Sequence, residues 1–402
     1  MQATVDTDVQ SDEQRVTERC DQLLAEHDPK TTPAAEFLGA QFDLGLGWVH
    51  FPEGAGGLGL SPKLQNTINA KLMAAGGPFP YARNPIGYGM CAPTLVVHAT
   101  DEQKTRYLKK LFTGEEIWCQ MFSEPGAGSD VASLSTRALR DGDEWILNGQ
   151  KVWTTLAHVS RYGIVLARSD TETVKHKGMT MFVMDMQAPG VEVRPLVQAT
   201  GEAEFNEVYM TDVRIPDSER LGDVGEGWGV SLTTLMNERV SIGGQVSPRG
   251  SGMIAIALGA WKRSSKNGDP VARDQLLRLW VDAEVNRLTN LRASQKRAKG
   301  TPGPEGSVGK MAMAGLNQRL MSFVMELMGP EAMLYPGGYP MDRPTTAMDL
   351  TKPQKAFLRV QANSIEGGTT NIMKNILGER VLGLPGEPRP DKDVPWSQVP
   401  RS

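Results

Sequence analysis

Cysteine is scarce in this chain of 402 residues: Cys20, Cys91 and Cys119 are the three, and no Cys-x-x-Cys pair occurs. Their scatter excludes a disulfide framework and a thiolate zinc ribbon, and it suits a reducing cytoplasm. Histidine is scarce too, with five residues at no metal-ligand spacing, so no metal is expected. There is no run of about 18 apolar residues, and the N-terminus is polar and acidic. The expectation is a soluble, non-secreted protein that does not span a membrane. An excess of basic charge is also missing: 43 Lys and Arg against 47 Asp and Glu leave a net charge of −4. That argues against nucleic acid or an anionic membrane as the main partner. Internal repeats and low-complexity segments are absent.

What the chain has is length for two or three domains and a change of pattern along it. Residues 1–116 read as mostly helical. Apolar periodicity predicts a helix over 11–27 with Ser11 or Asp12 as its N-cap, and another from Asp101 to near Gly114. The glycines of Phe51-Pro-Glu-Gly-Ala-Gly-Gly-Leu-Gly59 form a loop between them. In residues 117–227 short β-like runs take over: Trp145–Leu147, Tyr162–Ala167, Met179–Met184, Val191–Pro195 and Phe205–Val213. Asn148-Gly149 and Pro189-Gly190 read as hairpin turns, so a small antiparallel barrel or sandwich is expected. From residue 228 the 3.6-residue period returns over Trp228–Gln245, Val271–Lys299, Ser307–Met328 and Lys352–Ser364. Thr301-Pro-Gly-Pro-Glu-Gly306 separates the middle two, and the tail Pro385–Ser402 reads as extended over the surface. The fold class is α+β and multidomain: an N-terminal helical domain (1–116), a β-domain (117–227) and a C-terminal helix bundle (228–402).

The densest chemistry lies in Phe122-Ser-Glu-Pro-Gly-Ala-Gly-Ser-Asp130 followed by Asn148-Gly-Gln-Lys-Val-Trp-Thr-Thr155. Glycines let backbone N–H groups approach a flat or anionic ligand, while the hydroxyls and the indole offer hydrogen bonds and a ring face. These two segments, in this order and spacing, resemble the acyl-CoA dehydrogenase family, where they line the flavin of bound FAD. The resemblance covers nearly the whole chain, since helices, small β-domain and helix bundle are also that family's order. It implies FAD as cofactor and an acyl-CoA as substrate. It also implies an electron-transferring flavoprotein as acceptor, and a homo-oligomer, tetramer or dimer. By resemblance Gln120, Phe122, Ser123, Gly128, Ser129, Trp153, Thr154 and Thr155 belong to the flavin site, with Ser129 also near the acyl-CoA. Thr369 and Asn371, opening a helix over Ile372–Leu382, would contact FAD as well, and Thr369 also suits an N-cap.

Dehydrogenating a saturated acyl thioester needs a base for the α-proton and an acceptor for the β-hydride. The family's base lies near the C-terminal helix turn or on the first helix after the β-domain. In Arg359-Val-Gln-Ala-Asn-Ser-Ile-Glu-Gly-Gly-Thr369 the usual slot before Gly-Thr holds Gly367, with Glu366 one residue earlier. A one-residue shift near a helix end swings a side chain by about 100°. The other slot is Asn237-Glu-Arg-Val240, where Glu238 shares a helical face with Leu235 and Ile242. An apolar surround there would raise its pKa and suit a base. Glu238 is therefore the preferred base and Glu366 the alternative. The resemblance gives Arg239 a role in binding CoA. It gives the Gly367 backbone N–H the thioester oxygen, stabilising the enolate as it develops.

Two stretches depart from the family pattern. Asn286–Arg292 lacks the Arg-x-x-Phe-Gly motif, and Glu326-Leu-Met-Gly-Pro330 keeps one glycine of Gln-x-x-Gly-Gly, so contacts to a neighbouring subunit's FAD must differ. A flavin oxidase or monooxygenase on the same fold, and a flavin subunit of a heteromeric dehydrogenase, are the alternative functions.

Overall fold

The structure is a computed structural model that describes residues 2–243, 246–298, 305–335, 337–347, 350, 352–389 and 391–399. The N-terminal part holds α1 (Gln2–Glu26), α2 (Ala34–Asp43), α3 (Leu64–Ala74), α4 (Ala92–His98) and α5 (Asp101–Thr113). Because α1 begins at Gln2, Ser11 and Asp12 lie inside it and cap nothing. α5 follows its sequence signals closely. Thr100 and Gln103 form a capping box at its start, and Gly114 closes it in the left-handed region at φ 73°. Amphipathic faces of α1, α2 and α3 meet in a core of Val16, Leu23, Phe37, Leu46 and Ile68.

The β-domain is one eight-stranded sheet: β1 (Trp118–Met121), β2 (Arg137–Asp141), β3 (Glu144–Thr155), β4 (Tyr162–Arg168), β5 (Met179–Asp185), β6 (Val191–Leu196), β7 (Phe205–Pro216) and β8 (Arg220–Leu221). The order is β6-β7-β3-β2-β4-β5-β8, with β1 paired to β4. Most pairs are antiparallel as expected, but β1 and β2 each run parallel to β4. Neither expected hairpin is one. Asn148-Gly149 sits inside β3, where the register to β7 shifts between Leu147 and Gly149. A Cβ on Gly149 would lie 2.4 Å from Thr136 Oγ1, so the glycine serves a bulge and a close approach. The turn from β2 to β3 is made by Gly142-Asp143 instead, with Gly142 at φ 63°. Pro189-Gly190 joins β5 to β6, which pair with other strands.

The last part holds α6 (Gly227–Gly243), α7 (Met253–Arg263), α8 (Pro270–Ala298), α9 (Glu305–Met328), α10 (Pro353–Arg359) with a 3₁₀ turn over Val360–Ser364, and α11 (Thr370–Arg380). Residues 301–304 of the expected break lie outside the described residues. α7 to α10 bury Ile254, Leu276, Leu320, Phe323 and Val360 together. One core crosses the boundary between the helices and the sheet: Trp48 and Phe112 meet Trp118, Ile164 and Val230 in a single cluster. α6 is therefore pinned to the sheet as well as to the bundle.

The tail is more than extended chain. Trp396 is buried, its backbone N–H donates to Thr173 O at 2.8 Å, and the Arg168 guanidinium lies 4.8 Å over its ring. Asp391 pairs with Lys175, which also donates to Asp130 at 2.8 Å. The chain end is thus tied to the last residue of the Phe122–Asp130 loop. Trp396→Ala removes both the buried ring and the cation–π contact. It is expected to cost ~3 kcal/mol, read as a lower urea midpoint at unchanged slope.

Candidate active site

β1 leads straight into the Phe122–Asp130 loop, and two buried charges hold that loop in place. Lys151 of β3 is fully buried and donates to Glu124 Oε1 at 2.8 Å and to Phe122 O at 3.0 Å. Glu124 also accepts the N–H groups of Ser135 (2.7 Å) and Thr136 (2.9 Å). Val152 N–H donates to Ser123 O at 2.9 Å, so the loop is stapled to β3. Burial pushes the Glu124 carboxyl up, but the Lys151 ammonium and the other donors outweigh it and hold it below the usual carboxylate range. Burial also lowers the Lys151 ammonium, against the pull of Glu124. With the Glu124 carboxylate accepting three hydrogen bonds, one of them from its buried cation, such a pair is costly to break.

The expected flavin residues gather around this staple. Phe122 and Thr154 are buried, Ser123 and Thr155 half-buried, and Gly128 and Ser129 exposed. Trp153 is not a core aromatic. It is 56% exposed, sits in the left-handed region at φ 60°, and coincides with the second register shift of β3. A strained, exposed indole beside a bulge is a candidate functional position. Its edge meets Phe205, with ring centroids 5.8 Å apart. Two buried side-chain oxygens nearby in the fold, Gln120 Oε1 and Thr154 Oγ1, have no hydrogen-bond partner in the protein.

The bundle closes on the same region. Gln120 Nε2 donates to Glu238 Oε2 at 3.3 Å, joining β1 to α6. Glu238 is half-buried, and the neighbouring Leu235 packs on the core beneath. The side chain of Arg239 lies outside the described residues. Glu366 is held within its own turn. Arg359 donates to it twice, at 3.0 and 2.8 Å, and Asn363 Nδ2 donates at 2.7 Å. Arg359 also pairs with Glu204 at 3.4 Å and lies 5.6 Å over the Phe205 ring. A chain of contacts therefore runs from Trp153 through Phe205 and Arg359 to Glu366. Gly367 and Gly368 take φ of 62° and 91°, in the left-handed region that glycine occupies without steric cost. Thr369 caps α11, its hydroxyl accepting Ile372 N–H at 3.1 Å, with Asn371 exposed on the first turn.

One residue of this region escaped the sequence reading. Lys310 of α9 is 2% exposed and donates to Asn363 O and Gly368 O, both at 2.7 Å. Burial pushes its ammonium down, while the charges of Glu366 and Glu238 hold it up. Its position was a usable signal. Lys310 and Asn317 share a helical face with the buried Ala314 and Met321, where a charge needs a partner.

Three family descriptions cover the chain: "Acyl-CoA dehydrogenase, N-terminal domain" over residues 10–115, "middle domain" over 119–213 and "C-terminal domain" over 225–382. The chain belongs to the acyl-CoA dehydrogenase family. It is 36% identical over 346 residues to acyl-CoA dehydrogenase IpdE1 of Mycobacterium tuberculosis, covering 85% of each chain. It is 39% identical over 345 residues to acyl-CoA dehydrogenase FadE34 of the same organism, covering 85% of this chain but 45% of that protein's length. Among solved structures, the Tcur3481-Tcur3483 steroid acyl-CoA dehydrogenase aligns with a TM-score of 0.72 at 25% identity, over 92% of this chain and 98% of that one. The ChsE4-ChsE5 complex from Mycobacterium tuberculosis aligns at 0.70 and 25% identity, over 93% and 98%.

As a member of this family the protein is an FAD flavoprotein and an oxidoreductase acting on CH–CH bonds. Its own residues fit the cofactor. The orphan oxygens of Gln120 and Thr154 need donors, the Trp153 face is open, and a Cβ on Gly128 would meet nothing within 4 Å. Among the described residues no group of three His, Cys, Asp or Glu could hold a metal. No helix among them is long and apolar enough to cross a membrane. Lys151→Met would leave Glu124 buried without its cation. It is expected to cost about 3–5 kcal/mol and to lower FAD content, checked by denaturation and by the ratio of flavin to protein absorbance.

Proposed function

We propose that this protein dehydrogenates an acyl-CoA thioester to a trans-2-enoyl-CoA with Glu238 as the α-proton base, and that its electrons go on to an electron-transferring flavoprotein. The observation that carries this reading is the contrast between two carboxylates. Glu366 accepts two bonds from the Arg359 guanidinium and one from Asn363, whereas Glu238 stands on α6 where the Gln120 amide of β1 donates to it, beside the Phe122–Asp130 loop. To act as base, Glu366 would have to leave three charge-assisted or amide hydrogen bonds. The Gln120 bond to Glu238, at 3.3 Å, comes from a neutral amide and is longer than any of these. Its surroundings are more polar than the spacing of Leu235 and Ile242 implied, since the Lys310 charge also reaches it.

FAD, when bound, supplies the hydride acceptor for the β-carbon. The chain's own residues do the rest. Glu238 takes the α-proton, the Gly367 N–H donates to the thioester oxygen, Ser129 faces the acyl-CoA, and Arg239 binds its CoA part. Trp153, Thr154, Thr155, Ser123, Gly128, Phe122, Gln120, Thr369 and Asn371 hold the cofactor. A bulky acyl group is the substrate class we favour. The support is the steroid acyl-CoA dehydrogenase among the similar structures, together with the exposed apolar side chains Leu232 and Met236 on the helix of Glu238. The buried free thiols of Cys20, Cys91 and Cys119 support a cytoplasmic site.

An oligomer is supported by α8, where Leu277, Val281, Val285 and Leu288 form an exposed apolar stripe. A heteromeric enzyme is the second reading. It is favoured by the two-chain complexes among the similar structures and by FadE34, of whose length this chain spans 45%.

Anaerobic addition of straight-chain, branched and ring-bearing acyl-CoAs is expected to bleach the flavin band with at least one of them. Glu238→Gln should slow that bleaching by about 10²–10⁴-fold, whereas Glu366→Gln, which weakens the clamp on the Gly367 turn, should slow it much less. The opposite pattern would move the base to Glu366. A colourless protein that gains flavin only on co-expression with a second chain would establish the heteromeric reading.

A further inference from the structure

We propose that Lys310 is a positioning residue that aims the Gly367 N–H at the thioester oxygen. The inference rests on the role given to Gly367 above. Lys310 reaches from α9 into the bundle interior and ends on carbonyl oxygens at both ends of one turn, Asn363 O and Gly368 O, each at 2.7 Å. Gly367 lies between those anchors. Its φ of 62°, followed by 91° at Gly368, is a conformation glycine adopts with no side-chain packing to hold it. Nothing intrinsic to two adjacent glycines keeps their peptide planes in one orientation. The outer face of the turn is held by Arg359 and Asn363 through the Glu366 carboxylate. The inner face is held by Lys310. Asn317, one face along α9, reinforces it by donating to Asn363 Oδ1 at 3.0 Å.

A buried ammonium is an expensive way to bind two carbonyls if the only gain is stability, because an apolar side chain would fill the space without the desolvation cost. A fixed donor direction is what it adds. An N–H contributes to the enolate only when it lies within hydrogen-bond range of the developing charge, and small misplacements cost heavily. The same cation lies within electrostatic reach of Glu238 and Glu366. Lys310 therefore sits among the groups that handle the α-proton without touching substrate itself.

The test uses the FAD-loaded enzyme with Lys310→Met, which keeps the stem and removes the donors. A second variant, Lys310→Gln, keeps two N–H donors on a stem one bond shorter. Deuterium exchange of the 363–369 segment, measured without substrate, is expected to rise at least several-fold in Lys310→Met and less in Lys310→Gln. Exchange in the β-domain should stay unchanged. With the acyl-CoA that bleaches the wild type, kcat should fall about 10- to 100-fold in Lys310→Met, with KM and FAD content within about twofold.

Unchanged exchange in the 363–369 segment, or an unchanged kcat, would overturn the inference. So would a rise in KM alone. Should Lys310→Met fail to fold, Lys310→Gln faces the same two criteria. Should no acyl-CoA bleach the wild type, it is the proposed function that fails, and the exchange measurement alone then decides whether Lys310 tethers the turn.

Discussion

The buried guanidinium of Arg359 is the constraint around which the site is arranged. It is 6% exposed and comes from the last turn of α10, deep in the bundle. A cation in that place must be paired, and the fork geometry of arginine allows several partners at once. Two of its nitrogens take Glu366, another faces Glu204, and its plane covers Phe205. One side chain thereby joins the bundle to the start of β7 and fixes the turn that carries Gly367. It also ties up one of the two candidate bases.

The rest of the site repeats this device with other charges. Lys151 and Glu124 staple the flavin loop to β3, and Lys175 holds Asp130 and Asp391 together at the loop's far end. Lys310 closes the glycine turn from inside. In each case a buried or half-buried lysine or arginine orders a segment rich in glycine or polar residues. Such a segment has little apolar surface of its own to hold it. Open backbone suits a flat cofactor and a thioester, but it has to be immobilised from outside. The shared core of Trp48, Phe112, Trp118 and Val230 supplies the rigid base against which these clamps act.

The β-domain motifs were legible because their information is local. A run of Pro, Gly and Ser, then an indole between polar residues, specifies a loop and a strand within some thirty residues. Helix phases and the α5 capping box were legible for the same reason. The errors were also local signals, overridden by partners far along the chain. Asn148-Gly149 has hairpin chemistry, yet Asp212 bonds Asn148 on both its Nδ2 and its Oδ1, and β7 absorbs the pair into a bulged long strand. Ser11 has capping chemistry, but helix continues before it. The tail looked too polar to pack, yet Trp396, Asp391, Pro395 and Ser397 all dock on the body of the protein.

The sequence by itself determined the family, the cofactor chemistry and the two carboxylates worth weighing, because residue types at short spacing carry that information. It ranked Glu238 before Glu366 from their positions in the motifs. Their different surroundings come from Gln120 meeting Glu238 across 118 residues and from Arg359 and Asn363 turning onto Glu366. The burial of Lys310 depends on contacts 53 and 58 residues away. Tertiary packing alone sets which of several chemically equal side chains loses its water and finds a partner, and a carboxylate's freedom to take a proton follows from that.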